Sequence, residues 1–150
     1  MSRWRAKRRF EANRRFGERA DEALVAISIL EAEDDGIELD QSDASVREKL
    51  ESGRVLLERI RNALAEGSDA SPDELAIASH FRETSLDSPQ RLVSDFDAMI
   101  STLERAKTDL HYSEDLDEVR LWLKRISETA SRTSRDSINR MRGTLANGPR

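Results

Sequence analysis

The feature that most constrains this chain is the spacing of its apolar side chains, which recur at alternating steps of three and four residues. Four separate segments show the pattern. It is typical of helices that pack lengthwise at shallow angles, as in bundles and coiled coils. The four sets are Phe16, Ala20, Ala23, Ile27 and Leu30; Val46, Leu50, Gly53, Leu57, Ile60 and Leu64; Leu92, Phe96, Met99, Leu103, Ala106 and Leu110; and Leu116, Val119, Leu123, Ile126 and Ala130.

Helix start and stop signals divide the chain at the same places. Ser71-Pro72-Asp73-Glu74 offers an N-cap, a proline at the first helical position and a capping-box glutamate. Ser88-Pro89 opens the next helix in the same way, and the acidic run ending at Gly36 closes the first. We therefore expect an all-α fold: an antiparallel four-helix bundle with one additional short helix at about 72–83 and extended basic terminal helices.

Charge is sorted along the chain into a basic, an acidic and a second basic block. Residues 1–19 have a net charge of +6, residues 20–119 of −17 and residues 120–150 of +6, and together they give the net charge of −5. This pattern predicts a basic N-terminal arm or helix extension at 1–15, a bundle core at 16–126 and a basic C-terminal extension and tail at 127–150. Such asymmetry bears on partners rather than on fold.

Both basic segments should lie at the same end of the molecule if the four long helices run up-down-up-down, the simplest bundle topology. The start of the first helix and the end of the last would then form one positive patch. We expect partner or nucleic-acid binding by its aromatic and basic residues, which are Trp4, Arg5, Lys7, Arg8, Arg9, Phe10, Arg14, Arg15, Arg132, Arg135, Arg140 and Arg142.

Three interpretations of the basic arm remain open. It could contact nucleic-acid phosphates, with Trp4 and Phe10 available for stacking on bases. It could dock onto an acidic or apolar surface of a protein partner, or it could be a solvated end without a role. The sequence pI of about 5.2 argues against a dedicated nucleic-acid binder, whose domain pI usually exceeds about 9. A subunit within a nucleoprotein complex would not need a basic body.

The residue types present rule out some kinds of functional site, and the sequence motifs of several other kinds are absent. The chain has no cysteine, so disulfides, thiolate metal sites and thiol nucleophiles are ruled out. No glycine-rich phosphate loop, calcium-loop spacing or local catalytic triad motif occurs. We expect no enzymatic activity, no metal and no cofactor. The sequence also offers no apolar run long enough for a membrane span and no signal peptide, which predicts a soluble, cytoplasmic protein.

Apolar residues outside the four stripes suggest a surface for self-association. They are Val25, Ile29, Leu56, Val93 and Ile100. We interpret them as wider stripes, some of which could form an interface in a homo-oligomer.

His80 suggests an alternative function. The string Ala78-Ser79-His80-Phe81-Arg82-Glu83-Thr84-Ser85-Leu86 resembles the phosphoacceptor box of dimerising histidine-kinase domains, which are also helical bundles. The likeness covers the Ser-His pair, the threonine and the final leucine. Phe81 stands where the box has an acid, and Ser85 where it has a proline. The resemblance implies a histidine phosphotransfer bundle acting through His80.

Two details of the stripes predict local packing. Gly53 interrupts a good helical stripe at a cost of about 1 kcal/mol in helix propensity relative to alanine. This indicates that another helix approaches closely at Gly53. We expect Phe16 or Ile27 of the first helix to fill the space left by the missing side chain. In the last helix the stripe becomes small and polar after Ile126, and apolar residues resume on a shifted stripe beginning at Ser134. Such a shift changes supercoiling locally.

We therefore expect a non-enzymatic interaction or adaptor subunit of a larger intracellular assembly. The basic arm and the end of the last helix would bind a protein partner, or nucleic-acid phosphates within a complex.

Overall fold

The computed structural model contains five helices in the order α1 (Ser2–Asp34), α2 (Asp43–Ala65), α3 (Pro72–Thr84), α4 (Pro89–Thr108) and α5 (Ser113–Ala146). The structure describes the backbone of residues 2–34, 43–66, 70–85, 88–108 and 113–146, and the side chains of 11–32, 44–66, 70–85, 88–108, 114–135 and 139. No strand occurs in these ranges, which confirms the all-α prediction.

The two central helix starts are capped as the sequence predicts. The Ser71 hydroxyl accepts a hydrogen bond from the Glu74 backbone N–H at 3.2 Å, and the Glu74 carboxylate accepts one from the Ser71 N–H at 3.1 Å. This capping box satisfies two N–H groups that the first turn of α3 leaves free. At α4 the Ser88 hydroxyl accepts from the Arg91 N–H at 3.3 Å. Local sequence therefore fixes where α3 and α4 begin.

Contacts between facing side chains show that neighbouring long helices run antiparallel. Arg61 reaches Asp97 and Arg54 reaches Glu104, so residue numbers fall along α4 as they rise along α2. On the other side of the bundle, Ser127 donates a hydrogen bond to Asp21 and Arg120 binds Glu31. The α1–α5 pair is therefore antiparallel too, and it is the most extensive helix pair in the fold.

Every described residue of the four apolar stripes is buried, as expected for a four-helix bundle. Leu110, the last member of the third set, lies outside the described residues. The short helix α3 adds Ile77, Ala78 and Phe81 to the same core. The Phe81 ring contacts Phe96 of α4 and Trp122 of α5, at centroid distances of 5.9 and 5.8 Å. Thus α3 is a packed connector between α2 and α4.

The prediction that Phe16 or Ile27 fills the space beside Gly53 is wrong. A Cβ placed on Gly53 would lie 2.7 Å from the Cβ of Ala23, so α1 presents a small residue there rather than Phe16 or Ile27. The backbones of α1 and α2 approach so closely here that no space remains for a large side chain. Phe16 and Ile27 are buried at other levels of the core.

Candidate interaction end

The predicted binding residues belong to two helices that are neighbours. At Gly17 a Cβ would be 3.7 Å from the Cβ of Ala130, and this contact continues the antiparallel register of Asp21 with Ser127 and Glu31 with Arg120. Helix α1 runs from Gly17 back to Ser2, and α5 runs from Ala130 on to Ala146. The start of α1 and the end of α5 therefore point toward the same end of the bundle.

Four of the predicted binding residues have described side chains, and all four are exposed: Arg14, Arg15, Arg132 and Arg135. They lie within about two turns of the Gly17–Ala130 contact, on the side toward the helix termini. Arg14 makes an exposed contact of 3.7 Å with Glu18. Among the side chains that the structure describes, the other three have no ion-pair partner. These guanidinium groups are available to an external anion.

The remaining predicted binding residues lie in helical backbone, but their side chains are outside the described residues. They are Trp4, Arg5, Lys7, Arg8, Arg9 and Phe10 of α1 and Arg140 and Arg142 of α5. The tail at 147–150 also lies outside the described residues. Neither helix breaks at residue 15 or at residue 126. Both basic segments are therefore continuous with the helices that form the core.

The α1–α5 contact becomes polar toward this end. Asn13 is completely buried and Ser134 is 7 % exposed, and the register sets them opposite each other. Neither side chain finds a hydrogen-bond partner among the described residues. A buried polar group without a partner costs roughly 1–3 kcal/mol. Hence this part of the helix pair is held less firmly than the apolar layers between Ala20 and Leu30. Ser134 is also the first residue of the stripe shift predicted for α5, and the side chains of the rest of that stripe, Ile138, Met141 and Leu145, lie outside the described residues.

The opposite end of the same helix pair is acidic. Glu114, Asp117 and Glu118 are exposed in the first turns of α5. Charge separation along the molecule is thus a property of the fold as well as of the sequence, because the antiparallel pairing sets basic segments beside basic ones.

His80 lies on α3, half-buried, with its ring edge-on to Phe81 at a centroid distance of 6.1 Å. Arg82 donates hydrogen bonds to the carbonyls of Ala63 and Leu64 at the end of α2, so it caps a neighbouring helix. The Thr84 hydroxyl donates to the His80 carbonyl. Leu86, the last residue of the resemblance, lies outside the described residues. The phosphotransfer hypothesis stays a prediction.

Within the described ranges, no three His, Asp or Glu side chains come together as a metal site would require. A groove of about 540 Å³ between α4 and α5 is lined by polar and apolar groups alike, and two of its charged residues, Arg105 and Asp115, approach each other to 3.7 Å. No described helix has an apolar stretch sufficient to cross a bilayer.

No family model, curated protein or solved structure matches this chain. The geometry of the basic end, where Arg14, Arg15, Arg132 and Arg135 are exposed, is therefore the basis for proposing a function.

Proposed function

We propose that this protein is a non-enzymatic interaction subunit of a larger intracellular assembly. It binds through the end of the bundle at which α1 begins and α5 finishes, and the surface it binds is anionic. The observation that carries the proposal is the antiparallel α1–α5 register, because it sets two basic segments that are distant in sequence side by side.

The electrostatics of this end favour an external partner. Like charges gathered on one surface repel one another, so they are stabilised by an anionic partner and not by the fold itself. Arg15, Arg132 and Arg135 have no internal ion pair among the described residues. Arginine suits this role because its planar guanidinium binds carboxylates and phosphates through paired hydrogen bonds.

The polar layer of the α1–α5 pair next to these arginines supports the same interpretation. The buried Asn13–Ser134 layer gives the helix pair less stabilisation than an apolar layer of the same size would. The turns beyond it can then adjust to the shape of a partner at little cost in stability. A core layer built only for stability would use alanine or leucine at these positions.

The overall acidity favours a protein partner with an acidic surface over nucleic acid. The chain has a net charge of −5, and its acidic body would repel a long polyphosphate that extends past the basic end. Nucleic acid is the second candidate, favoured by Trp4 and Phe10, which the sequence places among the arginines of the arm. Phosphates bound at this end alone would fit a subunit that is held in place by neighbouring proteins.

Affinity purification from the native host, with and without nuclease, separates the two candidates. The test variant replaces Arg14, Arg15, Arg132 and Arg135 with glutamate. The matched control reverses Arg47 and Lys49, which lie near the start of α2 at the opposite end of the bundle. We expect the control to retain its partners and the test variant to lose them. A protein partner survives nuclease treatment, whereas a nucleic-acid partner does not.

Salt dependence gives a second readout on the purified protein. If the four arginines contact single-stranded nucleic acid, the logarithm of the affinity should fall with the logarithm of salt concentration with a slope of roughly −3, at about −0.7 per phosphate.

Retention of every wild-type partner by the four-arginine variant would contradict the proposal.

A further inference from the structure

The outer face of the α1–α5 pair carries an apolar groove. The groove has a volume of about 880 Å³, and its apolar lining includes Leu24, Val25, Ile29 and Leu121. Val25 and Leu121 are 48 % and 50 % exposed, and they are the two most exposed large apolar side chains in the described part of the chain. They sit at nearly the same level of the antiparallel pair. Exposed apolar groups gathered in one groove mark an interaction surface.

Among the groove charges that have no internal ion pair, the two nearest to Leu121 have opposite signs and lie on either side of it, with Glu128 one turn farther along α5. Asp117 lies one turn before it and Lys124 about one turn after it, and both line the groove and are exposed. Neither has an ion-pair partner among the described residues. They are seven residues apart on α5, about 10 Å along the axis, so they are too distant to pair with each other. By contrast, Arg120 and Asp21 in the same groove are engaged by Glu31 and Ser127.

We propose that this groove is a dimer interface and that its occupant is the same face of a second copy of this chain. A twofold axis passing near Leu121, perpendicular to the helices, would lay α5 antiparallel on α5 of the second copy. Asp117 of each copy then faces Lys124 of the other, and the two Leu121 side chains meet at the axis. Self-complementarity of this kind is what a twofold interface requires.

The size of the overlap sets the strength of the dimer. The axis lies near the acidic end, so the shared face covers about 17 residues of each helix, or about 25 Å by about 20 Å. That is roughly 500 Å² from each copy, at the lower limit for a specific interface. We therefore expect a dissociation constant in the micromolar range.

This arrangement leaves the interaction end free. The overlap stops near residue 18 of α1 and residue 130 of α5, before the four exposed arginines. The two basic ends would point away from each other along the length of the dimer. The dimer does not depend on the proposed function, but it would let one molecule bridge two anionic surfaces.

Light scattering after size-exclusion chromatography, over roughly 1–100 μM protein, measures the association directly. We expect the mass to rise from monomer to dimer across this range. Val25→Ser with Leu121→Ser should keep the protein monomeric, whereas Leu75→Ser is the matched control. Leu75 is an exposed apolar residue of α3, 37 % exposed and outside the groove. A wild-type protein that is monomeric throughout the range would overturn the proposal.

Charge reversal tests the register as well as the face. Asp117→Lys sets like charges together at two symmetric contacts and should weaken the dimer roughly tenfold, and Lys124→Asp should do the same. Mixing these two variants restores opposite charges at both contacts, so the mixture should form a heterodimer that neither variant matches alone. Because both residues are exposed, neither change should unfold the chain. Equal dimerisation by each variant and by the mixture would rule out this register.

A cysteine probe gives an independent readout, since the natural chain has no cysteine. Under oxidising conditions Leu121→Cys should form a disulfide-linked dimer across the axis. Leu75→Cys should remain monomeric under the same conditions. Equal crosslinking of the two variants would show random collision and would contradict the interface.

Discussion

At the scale of single residues, the positions without large side chains decide how the helices approach. Gly53 could be recognised from the sequence, because a glycine within a regular apolar stripe signals a close approach. Its partner could not, because the stripe of α1 offers five candidates and their levels depend on the register between helices. The structure shows that Ala23 faces it. Gly17 depends on a different register, that of α1 with α5, in which it packs against Ala130 with ordinary spacing.

These two glycines predict opposite responses to alanine. Gly53→Ala brings a new Cβ to 2.7 Å from the Cβ of Ala23, and neither carbon belongs to a side chain that can rotate away. The helices must separate, which we expect to cost about 1–3 kcal/mol in the free energy of unfolding. Gly17→Ala meets Ala130 at 3.7 Å and should gain about 0.5–1 kcal/mol from helix propensity. Urea unfolding of the two variants measures both effects.

A compensating change distinguishes this clash from other effects of the substitution. Ala23→Gly combined with Gly53→Ala removes the opposing Cβ and should recover most of the stability that Gly53→Ala loses. If the double variant is less stable than Gly53→Ala alone, the close approach at this position is not the cause.

At the scale of helices, α2 and α4 are joined by ion pairs as well as by apolar packing. Glu51 accepts hydrogen bonds from Arg54 on its own helix and from Lys107 on α4. Arg54 also binds Glu58 at 2.6 Å and lies 3.8 Å from Glu104 of α4. The hydrogen bonds from Arg54, and next those from Lys107, lower the pKa of Glu51 from 4.5 to about 2.

This lowered pKa predicts a loss of stability in acid. In the unfolded chain Glu51 takes up a proton near its ordinary pKa, so its contribution is complete above about pH 4.5 and is lost as the pH falls toward 2. The Glu51 side chain is 38 % exposed, and solvent screening limits the contribution to about 1 kcal/mol. Glu51→Gln should therefore cost about this much at pH 6 and much less at pH 3, as urea unfolding can measure.

Glu104→Gln is the matched control, because it removes only the longer contact to the same arginine. It should change stability little at either pH. An equal loss from Glu51→Gln at both values would show that the Glu51 carboxylate is not held in its charged form by the fold.

The helices themselves were predictable from sequence, and their lateral contacts were not. The apolar stripes predicted which residues of each long helix are buried, and the capping motif at Ser71 predicted the start of α3. That Phe81 of α3 reaches Trp122 across the bundle could not be predicted. Periodicity describes one face of a helix, but it contains no information on which neighbour covers that face. The burial of Asn13 opposite Ser134 was missed as well, because a polar residue one turn before the stripe gives no sign that it is buried.

At the scale of the whole molecule, the arrangement of charge depends on topology. The sequence separates the basic blocks by 100 acidic-rich residues, and an antiparallel pairing of the first and last long helices, as in an up-down-up-down order, brings them back together. The contacts of α1 with α5 and of α2 with α4 are antiparallel, as this order requires. That the two basic segments share one end could therefore be predicted on the assumption of the simplest topology. The exposed groove around Leu121 could not, because Val25 resembled Ile29 and Leu56 in the sequence, and only the latter two are buried.

The distance between the two basic ends is the decisive measurement of whether α1 and α5 bring them together. Spin labels on Ala6→Cys and Gly143→Cys, in a chain diluted with an excess of unlabelled protein, report the separation within one molecule by double electron–electron resonance. The antiparallel register predicts neighbouring helix turns, with labels about 15–25 Å apart given a helix spacing of 8–10 Å. Labels on Ala6→Cys and Glu114→Cys should instead be separated by about 40 Å, the length of the intervening part of α5. A separation of about 40 Å or more between residues 6 and 143 would place the basic segments at opposite ends and contradict the account.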